Sequence, residues 1–309
     1  MEVVRQNRIR MSDYHIPVML DECIDALRIR PDGVYVDVTF GAGGHSKSIL
    51  EKLSAKGRLI AFDQDGDAKQ NLLDDPRFIF VKANFRYLKK YLRVEGFTKV
   101  DGILADLGVS SHQLDFPERG FSYRYDAQLD MRMNEADELT AEIILKEFEQ
   151  DDLQLLFSKF GEVRNSKTLA KAIVEARSVS PITTTFELND LLDNVRMGNR
   201  AKYFAQVYQA LRMEVNQEVQ VLEEMLAGGL DVLKPGGRFV VMSYHSIEDR
   251  LVKNFFKTGN VDGELDKDDF GKISRPFKLI NKKVVTASAS ELKRNRRAKP
   301  AKLRIAEKL

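Results

Sequence analysis

Val34-Tyr35-Val36-Asp37-Val38-Thr39-Phe40-Gly41-Ala42-Gly43-Gly44-His45-Ser46 runs a buried-strand signal straight into a glycine turn that opens a helix. Glycines at such a turn let the backbone reverse sharply and let a ligand reach main-chain N–H groups that a Cβ would shield. Nineteen residues beyond Gly44, the apolar run Leu59-Ile60-Ala61-Phe62 ends in Asp63, a carboxylate placed to accept hydrogen bonds from ribose hydroxyls. Together the two stretches predict a nucleotide-cofactor site. A dinucleotide fingerprint needs G-x-G-x-x-G to seat a pyrophosphate, and Gly41-Ala42-Gly43-Gly44-His45-Ser46 lacks the third glycine. The G-x-x-x-x-G-K-[ST] loop of nucleotide hydrolases is absent as well.

Strand and helix signals alternate outward from this stretch, with strands expected at 34–40, 58–63, 77–82 and 100–106 and helices near 17–28, 45–55, 65–74 and 84–93. That alternation predicts an α/β fold with a mostly parallel sheet. Ligands in open α/β sheets bind outside the carboxyl ends of the strands, so Asp37, Gly43, Asp63 and Asp106 are expected to meet on one rim. Leu233-Lys234-Pro235-Gly236-Gly237, followed by the strand Arg238-Phe239-Val240-Val241-Met242-Ser243, resembles the corresponding segment of class I S-adenosylmethionine (SAM) methyltransferases. Between about Asp115 and Met213 helical periodicity dominates. This divides the chain into a discontinuous SAM-binding domain, 1–114 with 214–309, and a helical insertion, 115–213, covering substrate. A long helix Glu214 to Val232 and a helix 246–257 flank the strand 238–243. The β-rich pieces 277–280 with 284–285, and 302–306, complete the sheet as a pair.

The chain has 309 residues, 43% hydrophobic and 31% charged, ordinary for a globular protein with one large or two smaller domains. No apolar run reaches the roughly 18 to 20 residues that span a bilayer, and Met1-Glu2-Val3-Val4-Arg5 has no signal-peptide core, so a cytoplasmic protein with no membrane partner is expected. Cys23 is the single cysteine, at an apolar helix position, which excludes an intramolecular disulfide. The net charge of +2 is unevenly spread: Lys272 to Leu309 carries thirteen Lys or Arg against two Glu, and Asp262 to Asp269 is net −4. The dense cluster Arg294-Asn295-Arg296-Arg297-Ala298-Lys299 suits a polyanion, with a solvated tail as the alternative.

Six blocks in order resemble a known family: Gly41-Ala42-Gly43-Gly44-His45-Ser46, Asp106-Leu107-Gly108-Val109-Ser110-Ser111, Arg119-Gly120-Phe121-Ser122, Leu129-Asp130-Met131-Arg132-Met133, Gln209-Ala210-Leu211-Arg212 and Ser243-Tyr244-His245-Ser246-Ile247-Glu248-Asp249-Arg250. The family is the bacterial small-subunit (16S) ribosomal RNA cytosine-N4 methyltransferases, RsmH or MraW, and the resemblance covers nearly the whole chain. It implies a class I methyltransferase fold (Rossmann-like) with an inserted helical domain, and SAM-dependent methylation of a decoding-centre cytosine in the assembled small subunit. By the same resemblance, Gly43, Gly44, His45, Asp63, Phe85, Asp106 and Gln113 bind the cofactor. Gln206, Tyr208 and Tyr244 depart from the residues common in the family, which bears on the substrate side only. A homodimer is left open.

Methyl transfer from a sulfonium is an in-line displacement, so such a site mainly aligns nucleophile, methyl and leaving group. Cytosine N4 is a poor nucleophile, and the site should offer it a hydrogen-bond acceptor that later takes a proton. The chain lacks the Asn or Asp followed by Pro-Pro-Tyr used by amino-methylating DNA enzymes. Asp106, or a carbonyl just after it, is the leading acceptor; His245 is the second. The plainer roles are a turn cap for Asp106 and a helix cap for His245. Four histidines, His15, His45, His112 and His245, show no metal-ligand spacing, so no metal is expected. An extruded base would stack on Phe121, Tyr123, Tyr125 or Tyr244, all of which could instead be core. Arg119, Arg132 and Arg212 are candidates for phosphate or base contacts, with salt bridges as the alternative. A SAM-binding assembly factor without turnover, and a small-molecule or DNA methyltransferase, are the competing functions.

Overall fold

The computed structural model describes residues 17–110, 113–114, 117–265, 273 and 275–309. His15 and His112, and the second half of the acidic stretch 262–269, lie outside them. Seven strands form one sheet: β1 (Val34–Asp37), β2 (Arg58–Asp63), β3 (Phe78–Lys82), β4 (Val100–Asp106), β5 (Leu233–Ser243), β6 (Phe277–Leu279) and β7 (Lys302–Lys308). Their order is β3-β2-β1-β4-β5-β7-β6. The first five pair in parallel, and β7 inserts antiparallel between β5 and β6. The order reverses between β1 and β4, so their carboxyl ends flank a crevice of the kind that binds ligands in open α/β sheets.

Side chains alternate across the sheet, and that period sorts the core into two faces. Val36, Ile60, Ile103, Phe239 and Val241 pack on one face with α3 (Leu88–Val94), α9 (Glu218–Val232) and α10 (Ser246–Thr258). Tyr35, Leu59, Leu104, Val240 and Met242 face the other way, against α1 (Leu20–Leu27) and α2 (Gly44–Lys52). Helix α1 buries Cys23, Ile24 and Leu27, three positions of one helical stripe, as expected for Cys23. The late segment from α11 (Ala289–Arg294) onward adds Leu292, Ala298 and Ala301 to this second face.

The insertion supplies α4 (Ala141–Glu147), α5 (Gln150–Gly161), α6 (Ser166–Val179), α7 (Thr185–Val195) and α8 (Arg200–Val215). They enclose an apolar core of their own, running from Phe121 to Val215. Helix α8 continues past Met213 to Val215, and Gln217, in the left-handed region at φ 50°, turns the chain into α9. Asn216 pins that corner: its side chain accepts from Met133 N and donates to Met131 O.

The helix expected over Glu214 to Val232 begins only after that corner, at Glu218, and three further local expectations change. The helix expected at 65–74 is a 3₁₀ segment, Gly66–Asn71, because Asp65 caps it through Asp67 N and its Gly and Asn positions favour helix poorly. The Pro235-Gly236-Gly237 turn is absorbed into β5, which starts at Leu233 opposite Val100 and shifts register between Val100 and Gly102. Val285 contributes only an isolated bridge to Leu303, while β6 pairs directly with β7.

Candidate active site

The glycine turn is stitched to both neighbouring strands. Val38 N donates to Leu104 O and Phe40 N to Phe62 O, each at 2.9 Å. Gly43 sits at φ 78° and caps α2 without a side chain, a conformation that disfavours any L residue. A Cβ on Gly44 would meet Pro17 Cγ at 2.2 Å, so glycine lets the N-terminal segment close on the helix. Helix α2 thus points its first N–H groups at the crevice between β1 and β4.

Four carboxylates organise the turn. Asp37, at the end of β1, is fully buried and accepts from Ser46 Oγ at 2.7 Å and Thr39 N at 3.0 Å. Burial pushes its carboxyl upward against those two hydrogen bonds. Thr39 then bridges strands, its hydroxyl accepting from Asp106 N at 2.7 Å. Asp63 accepts from Gly41 N at 2.8 Å and Asp65 N at 2.9 Å, and burial raises its pKa to about 6. Asp65 in turn accepts from Gln113 Nε2 at 2.7 Å and Arg119 Nη1 at 2.9 Å. The glycine turn, the end of β2 and the segment entering the insertion are therefore one hydrogen-bonded unit.

Asp106 ends β4 on the same rim. Tyr244 Oη donates to its Oδ1 at 2.7 Å, and His45 Nδ1 lies 3.8 Å from Oδ2. His45 Nε2 reaches Val18 O at 3.2 Å, so its buried ring spans the N-terminal segment and the β4 carboxylate. Burial raises the Asp106 pKa to about 6; His45 and the Tyr244 hydroxyl pull it down, and Asp37 and Glu248 push it up. The Tyr244 phenol is itself driven well above its usual range, by burial first and by the Asp106 charge second. A carboxylate that titrates near neutrality, with 24% of its side chain still exposed, is chemically equipped to accept a proton.

The structure brings Gly43, Gly44, His45, Asp63 and Asp106 onto one rim by direct contacts, and Gln113 through Asp65. Phe85 opens a short 3₁₀ turn after β3, half-buried against the first core, and joins the rim through the Asn84–Gln64 hydrogen bond at 2.7 Å. His245 faces elsewhere. It caps α10, Nδ1 accepting from Glu248 N at 3.4 Å, while Nε2 lies 3.3 Å from Glu248 Oε1 without hydrogen-bond alignment. Glu218 closes on the same pair and is gripped by the Arg212 guanidinium at 2.7 and 3.0 Å.

The arginine and aromatic candidates are mostly structural. Arg119 is held by Asp65 and the carbonyls of Arg132 and Met133; Arg132 forks onto Asp130; Arg212 pairs with Glu218. Each guanidinium satisfies a local carboxylate or carbonyl, and their planar forks suit that task. Phe121 is buried in the helical core, and Tyr123 packs edge-on against Phe204 and Tyr208. Tyr125 alone of the four is exposed, at 49%. Thr39, Ser46 and Asp65 escape a sequence reading, since short polar side chains next to glycine turns are common and their partners lie on other strands. Tyr244 stood out as a departure from the family pattern and as a stacking candidate, not as a partner of Asp106.

Comparison with known proteins agrees with this geometry. The MraW methylase family matches residues 12–309. A ribosomal RNA small subunit methyltransferase H of Flavobacterium johnsoniae is 54% identical over 298 residues, 96% of this chain and 98% of that protein. Proteins of the same name from Bacteroides thetaiotaomicron and Cytophaga hutchinsonii are each 52% identical, over 96% of this chain and 97% and 99% of theirs. With a doubly covered, mostly parallel sheet, a glycine turn at its switch point and matches that run almost end to end, this chain belongs to the MraW methylase family.

Proposed function

We propose that the protein transfers a methyl group from SAM to the exocyclic N4 of a cytosine in small-subunit (16S) ribosomal RNA, acting on the decoding centre of the assembled subunit. The observation that carries the reading is Asp106: a strand-end carboxylate beside the glycine turn, oriented by Tyr244 and Thr39, with a pKa near 6. The donor set fits the cofactor. Carboxylates end three adjacent strands, suiting a diol and a cationic group, and residues 38–46 carry no Lys or Arg to balance a phosphate.

When bound, SAM supplies an electrophilic methyl whose bond to sulfur breaks with its electron pair left on sulfur as the new N4–carbon bond forms. Gly43, Gly44 and the α2 N-terminus would hold the cofactor, with Asp63 toward the ribose, Phe85 toward the base and Gln113 supporting through Asp65. Asp106 accepts a hydrogen bond from the cytosine amine, which localises the N4 lone pair, and takes the N4 proton as the C–N bond forms. Tyr244 occupies Oδ1, so the amine would meet Oδ2, the oxygen that His45 Nδ1 faces at 3.8 Å. His245 secures α10, and through it the backbone of Tyr244, which also donates to Glu248 at 2.8 Å. The helical unit 115–213 closes over the substrate.

Mass spectrometry of small-subunit rRNA from cells with and without the gene, read at single-nucleotide resolution, tests the reaction. One N4-methyl mark should vanish and return on complementation with the wild type but not with Asp106→Ala. Retention of every cytosine N4-methyl mark in the deletion strain refutes the assignment. In calorimetry SAM should bind; heat from NAD without heat from SAM would overturn the cofactor reading.

A further inference from the structure

From α11 onward the cations fall into two structural groups. On β7, Lys302 and Arg304 are neutralised by Asp249, with Arg304 Nε 2.6 Å from its Oδ1, and Lys308 donates to the carbonyls of Leu230 and Leu233. These are fold contacts. On the preceding turn, Lys293, Arg294, Arg296, Arg297 and Lys299 stand exposed within seven residues. Among the described residues, no carboxylate pairs with Lys293, Arg294, Arg296 or Lys299.

This turn is anchored. Ser288 caps α11 through Glu291 N, Asn295 caps the following 3₁₀ turn, and Ala298 and Ala301 are fully buried on the second face of the sheet. The anchor leads to the active site. Buried Glu291 accepts from Met19 N at 2.7 Å; the neighbouring Val18 O meets His45 Nε2; and His45 Nδ1 faces Asp106. Tyr244, Leu292 and Ala298 belong to one apolar cluster. A row of exposed cations, in which Lys293, Arg294, Arg296 and Lys299 meet no carboxylate among the described residues, is thus fixed to the wall that holds the proton acceptor.

We infer that the basic turn from Lys293 to Lys299 is a guide for the RNA backbone beside the reacting cytosine, contacting phosphates of the nucleotides that flank it. This rests on RNA being the substrate. An extruded base leaves its neighbouring phosphates at the mouth of the pocket. Exposed guanidinium and ammonium groups on a rigid turn are suited to hold them without reading sequence. A buried scaffold costs less ordering entropy on binding than a loose tail would, which favours fixed placement of the strand.

The test uses the full-length protein and purified small subunits. The variant combining Arg294→Ala, Arg296→Ala and Lys299→Ala should keep the wild-type SAM affinity in calorimetry, which verifies folding. Its subunit binding should fall less steeply with salt, the log–log slope shrinking by about two to three units for three lost phosphate contacts. A photocrosslinking residue in place of Arg296 should label nucleotides flanking the methylated cytosine, and the same residue in place of Lys171, on α6, should label others or none. Equal salt slopes, or Arg296 crosslinks only at remote nucleotides, would overturn the guide. So would loss of binding to anionic phospholipid vesicles with subunit binding intact. Failure of the two readings is separable: methylation with unchanged salt slopes removes the guide alone, whereas crosslinks next to an unmethylated site would remove the reaction and keep the guide.

Discussion

The rim of the sheet and the helical unit bury polar groups in opposite ways. Around the glycine turn the buried polar residues include ionisable ones, Asp37 and His45, with Asp63 and Asp106 close by; within the helical unit they are neutral, Ser166, Thr185 and Asn189. In the helical unit such groups cap and brace: Asn189 Oδ1 accepts from Tyr208 Oη, and Thr184 with Glu187 forms a capping box. On the rim, carboxylates are buried against their own solvation and titrate near neutrality. Burial of neutral caps yields a stable body, whereas burial of carboxylates disfavours their charged form in exchange for reactivity. The difference separates a unit built to hold a shape from one built to move a proton.

The sharpest way to break this comparison is Asp106→Asn. Single-turnover methyl transfer should fall about 10²- to 10⁴-fold, the usual contribution of a positioned acid–base group. Stability should move the other way. The folded pKa of Asp106 is raised from 3.8 to about 6, so the stability tied to its protonated form is fully present below about pH 4 and lost as pH rises through 6. Removing the charge should therefore stabilise the ligand-free protein at pH 7.5 by about 1 to 3 kcal/mol, and scarcely at all at pH 4. Urea unfolding at both pH values measures it; a slow variant with no gain at pH 7.5 would show that the carboxylate is not held under a burial penalty.

Phe204→Ala probes the other region. Phe204 is fully buried, edge-on to Tyr123 at 5.7 Å and under the Arg200 guanidinium at 4.2 Å. Truncation should lower unfolding free energy by about 3 to 5 kcal/mol while SAM affinity at low temperature is retained. Denaturation with parallel calorimetry tests this, and a matching loss of SAM affinity would show that the two regions share one energetic unit.

Asp63→Ala should weaken SAM binding by about 1.5 to 3 kcal/mol, the range for a hydrogen bond to a charged group, and strand Gly41 N and Asp65 N as well. Calorimetry reads the loss; unchanged affinity would return Asp63 to a purely structural role. Tyr244→Phe should have the smallest effect. The hydroxyl stabilises the charged form of Asp106, so its removal should move the acid limb of the pH–rate profile upward and leave SAM affinity alone. The other groups acting on that carboxyl, His45 from α2, Asp37 from β1, Glu248 from α10 and Cys23 from α1, remain in place. A rate loss independent of pH would point to misplaced packing rather than a tuned carboxylate.

The cofactor rim was legible because its signals are local. A strand followed by Gly41, Gly43 and Gly44 implies a turn, and Asp63 and Asp106 at strand ends imply a shared rim once the sheet is parallel. Arg119, Arg132 and Arg212 were not legible. An arginine reads the same in sequence whether it meets a phosphate or a carboxylate, and Asp65, Asp130 and Glu218 reach them only in the folded chain. His245 was legible in both of its roles, and the structure realises the cap.

The amino-acid sequence by itself determined the alternation of strands and helices, the glycine turn, the family and the uneven spread of charge, since each is written in neighbouring residues or in blocks matched in order. The tertiary structure alone decided which buried carboxylates titrate near neutrality, that Tyr244 rather than His245 holds Asp106, and which C-terminal cations are consumed by Asp249 and which remain exposed on an anchored turn. Those properties depend on burial and on partners 55 to 138 residues away in the chain, and a desolvation penalty or an ion pair exists only once the fold has brought the two ends together.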